Sequence, residues 1–235
     1  MPLEIISGNI FTTSHQTIVN TVNCVGVMGA GIALECRLRY PTMFSRYCEL
    51  CEQKVLQPGK LWLYKGGAKD DIDTHWILNF PTKKHWKFPS KIEYITDGLK
   101  RFLETYHDKE IKSIAFPVLG TQNGGLDQEE VLQIMSQYLS QCDIPVTIYQ
   151  YSATSHDDCY ELLKKKILHS SIEQLAKETR IRRTTLLKLI QGLNNPQIYQ
   201  LNQLSRLDGI GIKTLEALFQ YSKKIQNIYE QETFF

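Results

Sequence analysis

Two glycine-rich segments of this 235-residue chain combine residue types that can hold a phosphate. The first, NTVNCVGVMGAGIA, spans residues 20–33, and the second, PVLGTQNGGLD, spans residues 117–127. Glycine lets the backbone approach a ligand closely, and a following helix N-terminus favours negative charge. Each segment leaves a predicted strand and enters a predicted helix, so two such turns at adjacent strand ends would hold both halves of a diphosphate. The pair predicts a ligand that contains a pyrophosphate.

The glycine spacing excludes two common nucleotide motifs. Gly26, Gly29 and Gly31 give G-x-x-G-x-G, which is not the dinucleotide fingerprint G-x-G-x-x-G, and no G-K-[ST] follows as in a P-loop. Either turn alone could serve packing, so the prediction depends on the pair.

The elements that position these turns form an alternating pattern. Apolar runs rich in β-branched and aromatic residues predict strands at 3–6, 17–22, 61–64, 76–80, 113–116 and 146–149. Helical spacing predicts helices at 31–39, 42–53, 91–106 and 128–141, and the pairs Ser90/Glu93 and Asp127/Glu130 predict capping boxes at two of them. The pattern predicts an α/β fold, a three-layer α/β/α domain with a mixed central sheet.

A polar, aperiodic stretch at residues 151–158 predicts a linker between domains at 1–152 and 159–235. The second domain is predicted to be small and all-α. The net charge is +2, but residues 160–213 carry ten Lys+Arg against four Asp+Glu. Such an excess is typical of a segment with an anionic partner, or of a solvated helical surface.

Neither a metal site nor a membrane segment is expected. The six cysteines are predicted to be reduced thiols, and Cys48 and Cys51 form a C-x-x-C with no second pair to complete a zinc site. The histidines show no ligand spacing. The start of the chain does not resemble a secretion signal and no run is long and apolar enough for a membrane helix, so a cytoplasmic protein is expected.

The order of four motifs resembles the macrodomain family over about residues 1–151. The motifs are G-N-I, N-T-V-N-x-x-G-x-M-G-x-G-I-A, N-F-P-T-K-x-H-W and P-x-L-G-x-x-x-G-G-L-D. The third, at residues 79–86, is similar to the DarG-type antitoxins of that family, which remove ADP-ribose from DNA bases modified by a DarT toxin. The resemblance implies ADP-ribose as ligand or product, no further cofactor, ADP-ribosylated DNA as substrate and a DarT-like ADP-ribosyltransferase as partner.

The resemblance also implies roles for particular residues. Asn20 and Asn23 would lie near the distal ribose and Lys83 at the reacting end, which makes these three the candidate catalytic residues. Asn9 stands where the family commonly has aspartate and would accept from the adenine amine without a charge. Either Tyr149 or Tyr151 would stack on adenine, or serve packing. The candidate ligand-binding residues are Asn9, Ile10, Gly26, Val27, Met28, Gly29, Ala30, Gly31, Ile32, Thr82, Leu119, Gly120, Thr121, Gln122, Asn123, Gly124, Gly125, Leu126 and Tyr151.

The sequence offers no obvious carboxylate for cleaving an N-glycosidic bond. Asp127 is expected to cap a helix, and Gly124 stands where related hydrolases of glutamate-linked ADP-ribose have an aspartate. We therefore expect Lys83 to stabilise the departing base or the opened sugar while the asparagines orient water and ribose. The alternatives are a hydrolase of ADP-ribosylated protein or of an ADP-ribose metabolite, and a non-catalytic ADP-ribose reader coupled to DNA binding.

Two regions are expected to contact nucleic acid. Residues 85–87 place Trp86 between cationic neighbours, which suits stacking on a base, although a lone tryptophan also suits packing. In the second domain, helices at 170–180, opened by Ser170 and Glu173, and at 184–191, ended by Gly192, resemble an XRE-type helix-turn-helix. The turn 209–211 beside Lys213 resembles a helix-hairpin-helix, and a helical cap or dimerisation arm is the structural alternative. The candidate nucleic-acid residues are His85, Trp86, Lys87, Arg182, Arg183, Lys188 and Lys213.

Overall fold

The computed structural model describes residues 3–232 except 70 and 73. The chain divides into two compact units, Met1–Tyr151 and Ser152–Phe235. Within the described residues, no helix is long and apolar enough to cross a membrane. No group of three or more His, Cys, Asp or Glu side chains in that part of the chain could hold a metal ion, and all six cysteines are free thiols.

The first unit alternates strands and helices, as predicted. Its strands are β1 (Leu3–Gly8), β2 (Thr17–Val22), β3 (Trp62–Tyr64), β4 (Trp76–Pro81), β5 (Ile114–Pro117) and β6 (Val146–Tyr151). Its helices are α1 (Gly31–Arg39), α2 (Pro41–Glu52), α3 (Ile92–Thr105) and α4 (Gln128–Leu139), with a short 3-10 helix at Ile10–Thr12.

The strands form one mixed sheet in the order β1-β6-β5-β2-β4-β3. All neighbours are parallel except β3 and β4, which are antiparallel. One core cluster joins the sheet to α3 and α4, and includes Phe80, Phe102 and Phe116. The other joins it to α1 and α2, and includes Tyr47 and Ile77. The predicted three-layer α/β/α fold is confirmed.

The order of the strands decides which loops meet. β2 lies between β4 and β5, parallel to both. The carboxyl ends of parallel strands lie at one edge of a sheet, so the segments that follow these three strands leave from the same edge. Both glycine-rich turns and the segment that contains Lys83 therefore belong to one neighbourhood.

One of the two capping boxes predicted in this unit is wrong. The N-cap of α3 is Lys91, without a side-chain cap bond. Ser90 is buried and its N–H donates to the Gly124 carbonyl at 2.9 Å, so a tertiary contact has taken precedence over the local cap. Asp127 does cap α4, because its carboxylate accepts the Glu130 N–H at 2.9 Å.

The second unit is helical. It contains α5 (Asp158–Leu168), α6 (Ile172–Thr179), α7 (Arg183–Leu193) and α8 (Ile212–Glu232), with a 3-10 helix at Leu201–Arg206. The predicted capping box at Ser170 is wrong by one position, because Ser171 is the N-cap and accepts the Gln174 N–H. Gly192 does not end α7: a Cβ there would lie 2.2 Å from Leu207 Cδ1, so this glycine permits close packing inside the helix.

The polar stretch at residues 152–157 is bonded into the helical unit. Asp157 is buried, caps α5 through the Tyr160 N–H and also accepts the Leu201 N–H at 2.9 Å. The Gln200 side chain donates to the Ser152 carbonyl at 2.9 Å. These bonds satisfy polar groups that would otherwise be buried without partners.

Candidate functional site

The two glycine-rich turns adjoin at the carboxyl edge of the sheet. The Asn123 Nδ2 atom lies 3.0 Å from the position that a Cβ would take on Gly31. The Lys83 Nζ atom, from the segment after β4, donates to the Asn123 carbonyl. The Thr82 N–H donates to the Val22 carbonyl at 2.9 Å, which extends the contact between the segments after β2 and β4. Segments after β2, β4 and β5 therefore meet at Asn123.

Asn23 organises the first turn from within. Its Oδ1 accepts the N–H groups of Val25 at 3.0 Å and Val27 at 3.4 Å, and the Tyr47 hydroxyl at 3.2 Å. Its Nδ2 donates to the Val27 carbonyl. The side chain is buried and its hydrogen bonds shape the loop.

Asn20 is fully buried beneath the same turn. Its Nδ2 donates to the Asn79 Oδ1 at 2.9 Å, while its Oδ1 has no donor within the described residues. Asn20 and Asn79 are paired across β2 and β4, so their amides form a polar contact inside the sheet. A catalytic role for Asn20 or Asn23 stays a prediction.

Each turn contains backbone N–H groups that have no acceptor among the residues that the structure describes. In the part of the chain that the structure describes, no acceptor pairs with the N–H groups of residues 28–32, and the same holds for residues 122 and 123. Unpaired backbone N–H groups are rare unless water or a ligand completes them. Two adjacent sets at the start of α1 and in the second turn form a site suited to an anion.

Tight internal bonds fix the second turn. The Gly125 N–H donates to the Thr121 carbonyl at 2.6 Å and the Leu126 N–H to the Gly120 carbonyl at 3.1 Å. A Cβ on Gly124 would lie 1.9 Å from the Gly120 oxygen and 2.5 Å from the Ser90 Oγ. Leu119 and Thr121 are buried, whereas Gln122 and Asn123 are exposed. These bonds and close contacts fix the turn, and its N–H groups at residues 122 and 123 belong to the exposed part of it.

Lys83 lies where the three segments meet. It is half-buried, and burial lowers the pKa of its ammonium group. The bond to the Asn123 carbonyl fixes the charge beside the second turn. A cation placed there can stabilise negative charge that develops on a bound molecule.

The residues predicted to contact adenine differ in how far their side chains are exposed. Asn9 is buried and its Oδ1 accepts the Phe11 N–H at 3.1 Å, so it caps the 3-10 helix that contains Ile10. Tyr149 packs against the core on the α1 and α2 side of the sheet. Tyr151 is 45% exposed. Of the two tyrosines, Tyr151 has the exposure that stacking on a ligand requires.

The segment after Lys83 is an exposed aromatic cluster. The His85 and Trp86 rings stack with centroids 5.7 Å apart, and Lys87 Nζ lies 5.2 Å from the centre of the Trp86 ring. Trp86 is 50% exposed and Phe88 is 64% exposed, so packing does not explain either ring. Sequence reasoning missed Phe88, although the alternation W-K-F before a proline is a signal that could have indicated it.

The remaining predicted nucleic-acid residues lie on the second unit. Arg182 is the N-cap of α7 and Arg183 is its first residue. Lys188 Nζ donates to Asp208 Oδ2 at 3.0 Å, in the turn before α8. Lys213 is exposed in the first turn of α8.

Comparison with known proteins gives concordant matches. The family model described as Macro domain matches residues 19–135. A DNA ADP-ribosyl glycohydrolase of Mycobacterium tuberculosis is 43% identical over 150 residues, which are 63% of this chain and 42% of the relative. One of Thermus aquaticus is 38% identical over 149 residues, 63% of this chain and 41% of the relative.

Solved structures match the same region. The macrodomain of Mycobacterium tuberculosis DarG is 41% identical with a TM-score of 0.60, covering 64% of this chain and 99% of that one. Thermosipho africanus DarTG in complex with ADP-ribose is 37% identical with a TM-score of 0.60, covering 66% of this chain and 43% of that one. The match thus spans less than half the length of these two glycohydrolase relatives.

Proposed function

The chain belongs to the macrodomain family, and on that premise we propose that its first unit hydrolyses ADP-ribose from modified DNA bases. The enzyme whose modification it reverses is a DarT-like ADP-ribosyltransferase. The proposal is supported by the identity to relatives named DNA ADP-ribosyl glycohydrolase. It is also supported by a relative named as a fusion of the transferase with the glycohydrolase, which is 38% identical over 160 residues.

The observation that carries the proposal is the pair of adjoining turns whose backbone N–H groups have no acceptor in the described part of the chain. A diphosphate has two linked anionic groups, and each charge-assisted N–H contact to one of them contributes about 1.5–3 kcal/mol. The backbone N–H groups at the start of α1 bind one phosphate, and those of the second turn bind the other. ADP-ribose places a sugar on each side of this diphosphate, with adenine toward Tyr151 and the distal ribose toward Lys83.

The chemistry assigned to the site is cleavage of the bond between the distal ribose and the base nitrogen, with water adding to the sugar and a proton passing to the base. Lys83 contributes positive charge at the departing base or the opened sugar. Asn23 shapes the turn that orients the ribose, and Asn20 contacts that turn through the Met28 Sδ atom at 3.9 Å. Asp127 caps α4, so the mechanism does not use it as a base.

A direct test compares three substrates with the full chain: DNA that bears ADP-ribosylated thymidine, DNA that bears ADP-ribosylated guanosine, and an ADP-ribosylated protein. We expect free ADP-ribose to be released from at least one of the DNA substrates and not from the protein. Chromatographic detection of the released ADP-ribose measures the result. Release from the modified protein alone would overturn the proposal.

A non-catalytic ADP-ribose reader coupled to DNA binding is the second candidate. It is favoured by the engagement of the Asn20 and Asn23 amides inside the protein. Calorimetry separates the candidates, because a reader binds free ADP-ribose and leaves every modified substrate intact.

Replacing Gly29 with alanine separates ligand contact from folding. Gly29 needs no left-handed conformation, and a Cβ there would meet only Val27 Cγ1, at 3.9 Å. The free energy of unfolding should therefore change by less than about 0.5 kcal/mol. The methyl group would occupy the space where a phosphate approaches, and we expect ADP-ribose affinity to fall about tenfold or more, the value of one charge-assisted contact.

Calorimetry and thermal melting of the same samples measure both quantities. Gly211→Ala is the matched control, because a Cβ there meets nothing within 4 Å and the residue lies in the second unit. Unchanged affinity in Gly29→Ala would show that no phosphate lies against this turn.

A further inference from the structure

Two short helices of the second unit are joined by a three-residue turn. α6 ends at Thr179, Arg180 adopts a left-handed conformation with φ 59°, and α7 begins at Arg183. Ile181 in the turn is buried, as are Leu175 on α6 and Leu186 on α7. Two helices around a tight turn with a shared apolar core form the helix-turn-helix arrangement, in which the second helix can enter a DNA groove.

The outer face of α7 is exposed and contains no acidic residue. Its members, with the N-cap, are Arg182, Arg183, Thr184, Leu187, Lys188 and Gln191. They follow helical spacing, whereas Leu186 and Leu189 face the core. The face therefore combines cations for phosphates with threonine, glutamine and leucine side chains, which hydrogen-bond base edges or contact a thymine methyl group.

Two cations of this face are paired with carboxylates from neighbouring elements. Lys188 Nζ lies 3.0 Å from Asp208 Oδ2, with side chains 52% and 98% exposed. Arg183 lies 3.4 Å from Glu173 on α6, with side chains 68% and 70% exposed. Exposed ion pairs of this kind contribute little to stability, so another anion can replace the carboxylate at little cost.

We propose that the outer face of α7 binds the major groove of duplex DNA, and that Asp208 and Glu173 occupy in the free protein the places that backbone phosphates take in the complex. Charge complementarity favours DNA as the occupant, because residues 160–213 carry ten Lys+Arg against four Asp+Glu. Two of those four acids are the ones already paired with the face. The inference is independent of the proposed function, since it requires neither ADP-ribose nor a modified base.

The test measures binding of the full chain to a labelled, unmodified duplex by fluorescence anisotropy over a series of salt concentrations. We expect Lys188→Ala and Arg183→Ala each to weaken binding and to reduce the slope of log affinity against log salt by about one. Asp208→Asn and Glu173→Gln free these cations, and we expect each to tighten binding about twofold to fivefold, the size of an exposed ion pair.

Glu161→Gln on α5 is the matched control, because it makes the same change in net charge and Glu161 forms neither ion pair. It should leave the affinity within the error of the wild type. Repeating the α7 substitutions in a Trp86→Ala and Lys87→Ala background removes any contribution of the aromatic cluster in the first unit. Circular dichroism confirms that each exposed substitution leaves the helices intact.

Several outcomes overturn the proposal. They are wild-type binding that does not depend on salt, α7 substitutions that leave duplex affinity unchanged, and Asp208→Asn binding no tighter than Glu161→Gln. Equal competition by an acidic polypeptide, lost in the same variants, would assign the face to an acidic protein instead. Because no modified base is used, a hydrolase that fails on every substrate leaves this result unaffected.

Discussion

Replacing Lys83 with alanine will lower the rate of ADP-ribose release from modified DNA by about 100-fold to 1,000-fold, the usual cost of removing one group that stabilises transition-state charge. Lys83 lies where the segments after three strands meet, and its Nζ is bonded to the Asn123 carbonyl. Free ADP-ribose should still bind, because the backbone donors of residues 28–32 do not depend on this side chain. Single-turnover release measures the rate and calorimetry measures the binding.

Lys84→Ala is the neighbouring control. The Lys84 side chain is exposed and its Nζ lies 5.9 Å from the centre of the Tyr94 ring, while its backbone carbonyl, which alanine keeps, accepts the Cys24 N–H at 3.2 Å. Its loss removes the same charge and should change release by less than about tenfold, within the 1 kcal/mol that an exposed cation–π contact contributes. Turnover by Lys83→Ala equal to that of Lys84→Ala would remove Lys83 from the mechanism.

The pH dependence of release tests which form of Lys83 acts. Burial disfavours the ammonium, so Lys83 loses its proton below the ordinary pKa of 10.5. If the charged form stabilises the leaving group, kcat/KM falls as pH rises through this lowered pKa. A neutral amine acting as nucleophile would give the opposite sign. In Lys83→Arg the guanidinium stays charged, so the alkaline fall should disappear from whatever activity the variant retains.

Replacing Gly124 with alanine will abolish ADP-ribose binding at concentrations that saturate the wild type. A Cβ there would lie 1.9 Å from the Gly120 oxygen and 2.5 Å from the Ser90 Oγ, so the second turn cannot keep its conformation. Opening it displaces the backbone donors at 122 and 123, and two lost charge-assisted contacts weaken binding by about 100-fold or more. The overpacked turn should also destabilise the unit by about 1–3 kcal/mol.

Gln122→Ala in the same turn is the matched control, because Gln122 is exposed and the substitution keeps its backbone N–H. It should bind ADP-ribose within about threefold of the wild type, as surface substitutions usually change free energies by less than about 0.5 kcal/mol. Calorimetry at a temperature below the melting point of each variant measures the affinities. Wild-type affinity in Gly124→Ala would show that the second turn takes no part in binding the diphosphate.

Local patterns predicted the layers of the fold, but not every helix terminus. Ser90 precedes Glu93 at the correct spacing for a cap, yet its N–H bonds to Gly124, which lies 34 positions away in the chain. Ser170 and Ser171 are adjacent serines, and the sequence does not distinguish which of them caps α6. Pairings between distant residues decide such cases, and a single sequence does not reveal them.

In the candidate site, too, local sequence predicted some features, whereas contacts between distant residues decided others. Residue types and order were sufficient to predict that the two glycine-rich turns adjoin, because both follow neighbouring strands. The environment of Asn23 was not predictable, because its Oδ1 is bonded to the Tyr47 hydroxyl on α2 and to its own loop. Exposure distinguishes the aromatic candidates, since Trp86 and Tyr151 are half-exposed whereas Tyr149 packs against the core, but their roles in binding stay predictions.

The bonds around residues 152–157 determine where the helical unit can be separated from the rest of the chain. A fragment expressed from residue 159 onward would lose Asp157, and with it the acceptors of the Tyr160 and Leu201 N–H groups. It would also lose Ser152, an acceptor of the Gln200 amide. A recombinant fragment should begin at Ser152, and limited proteolysis within this stretch should be slow because its backbone is already engaged.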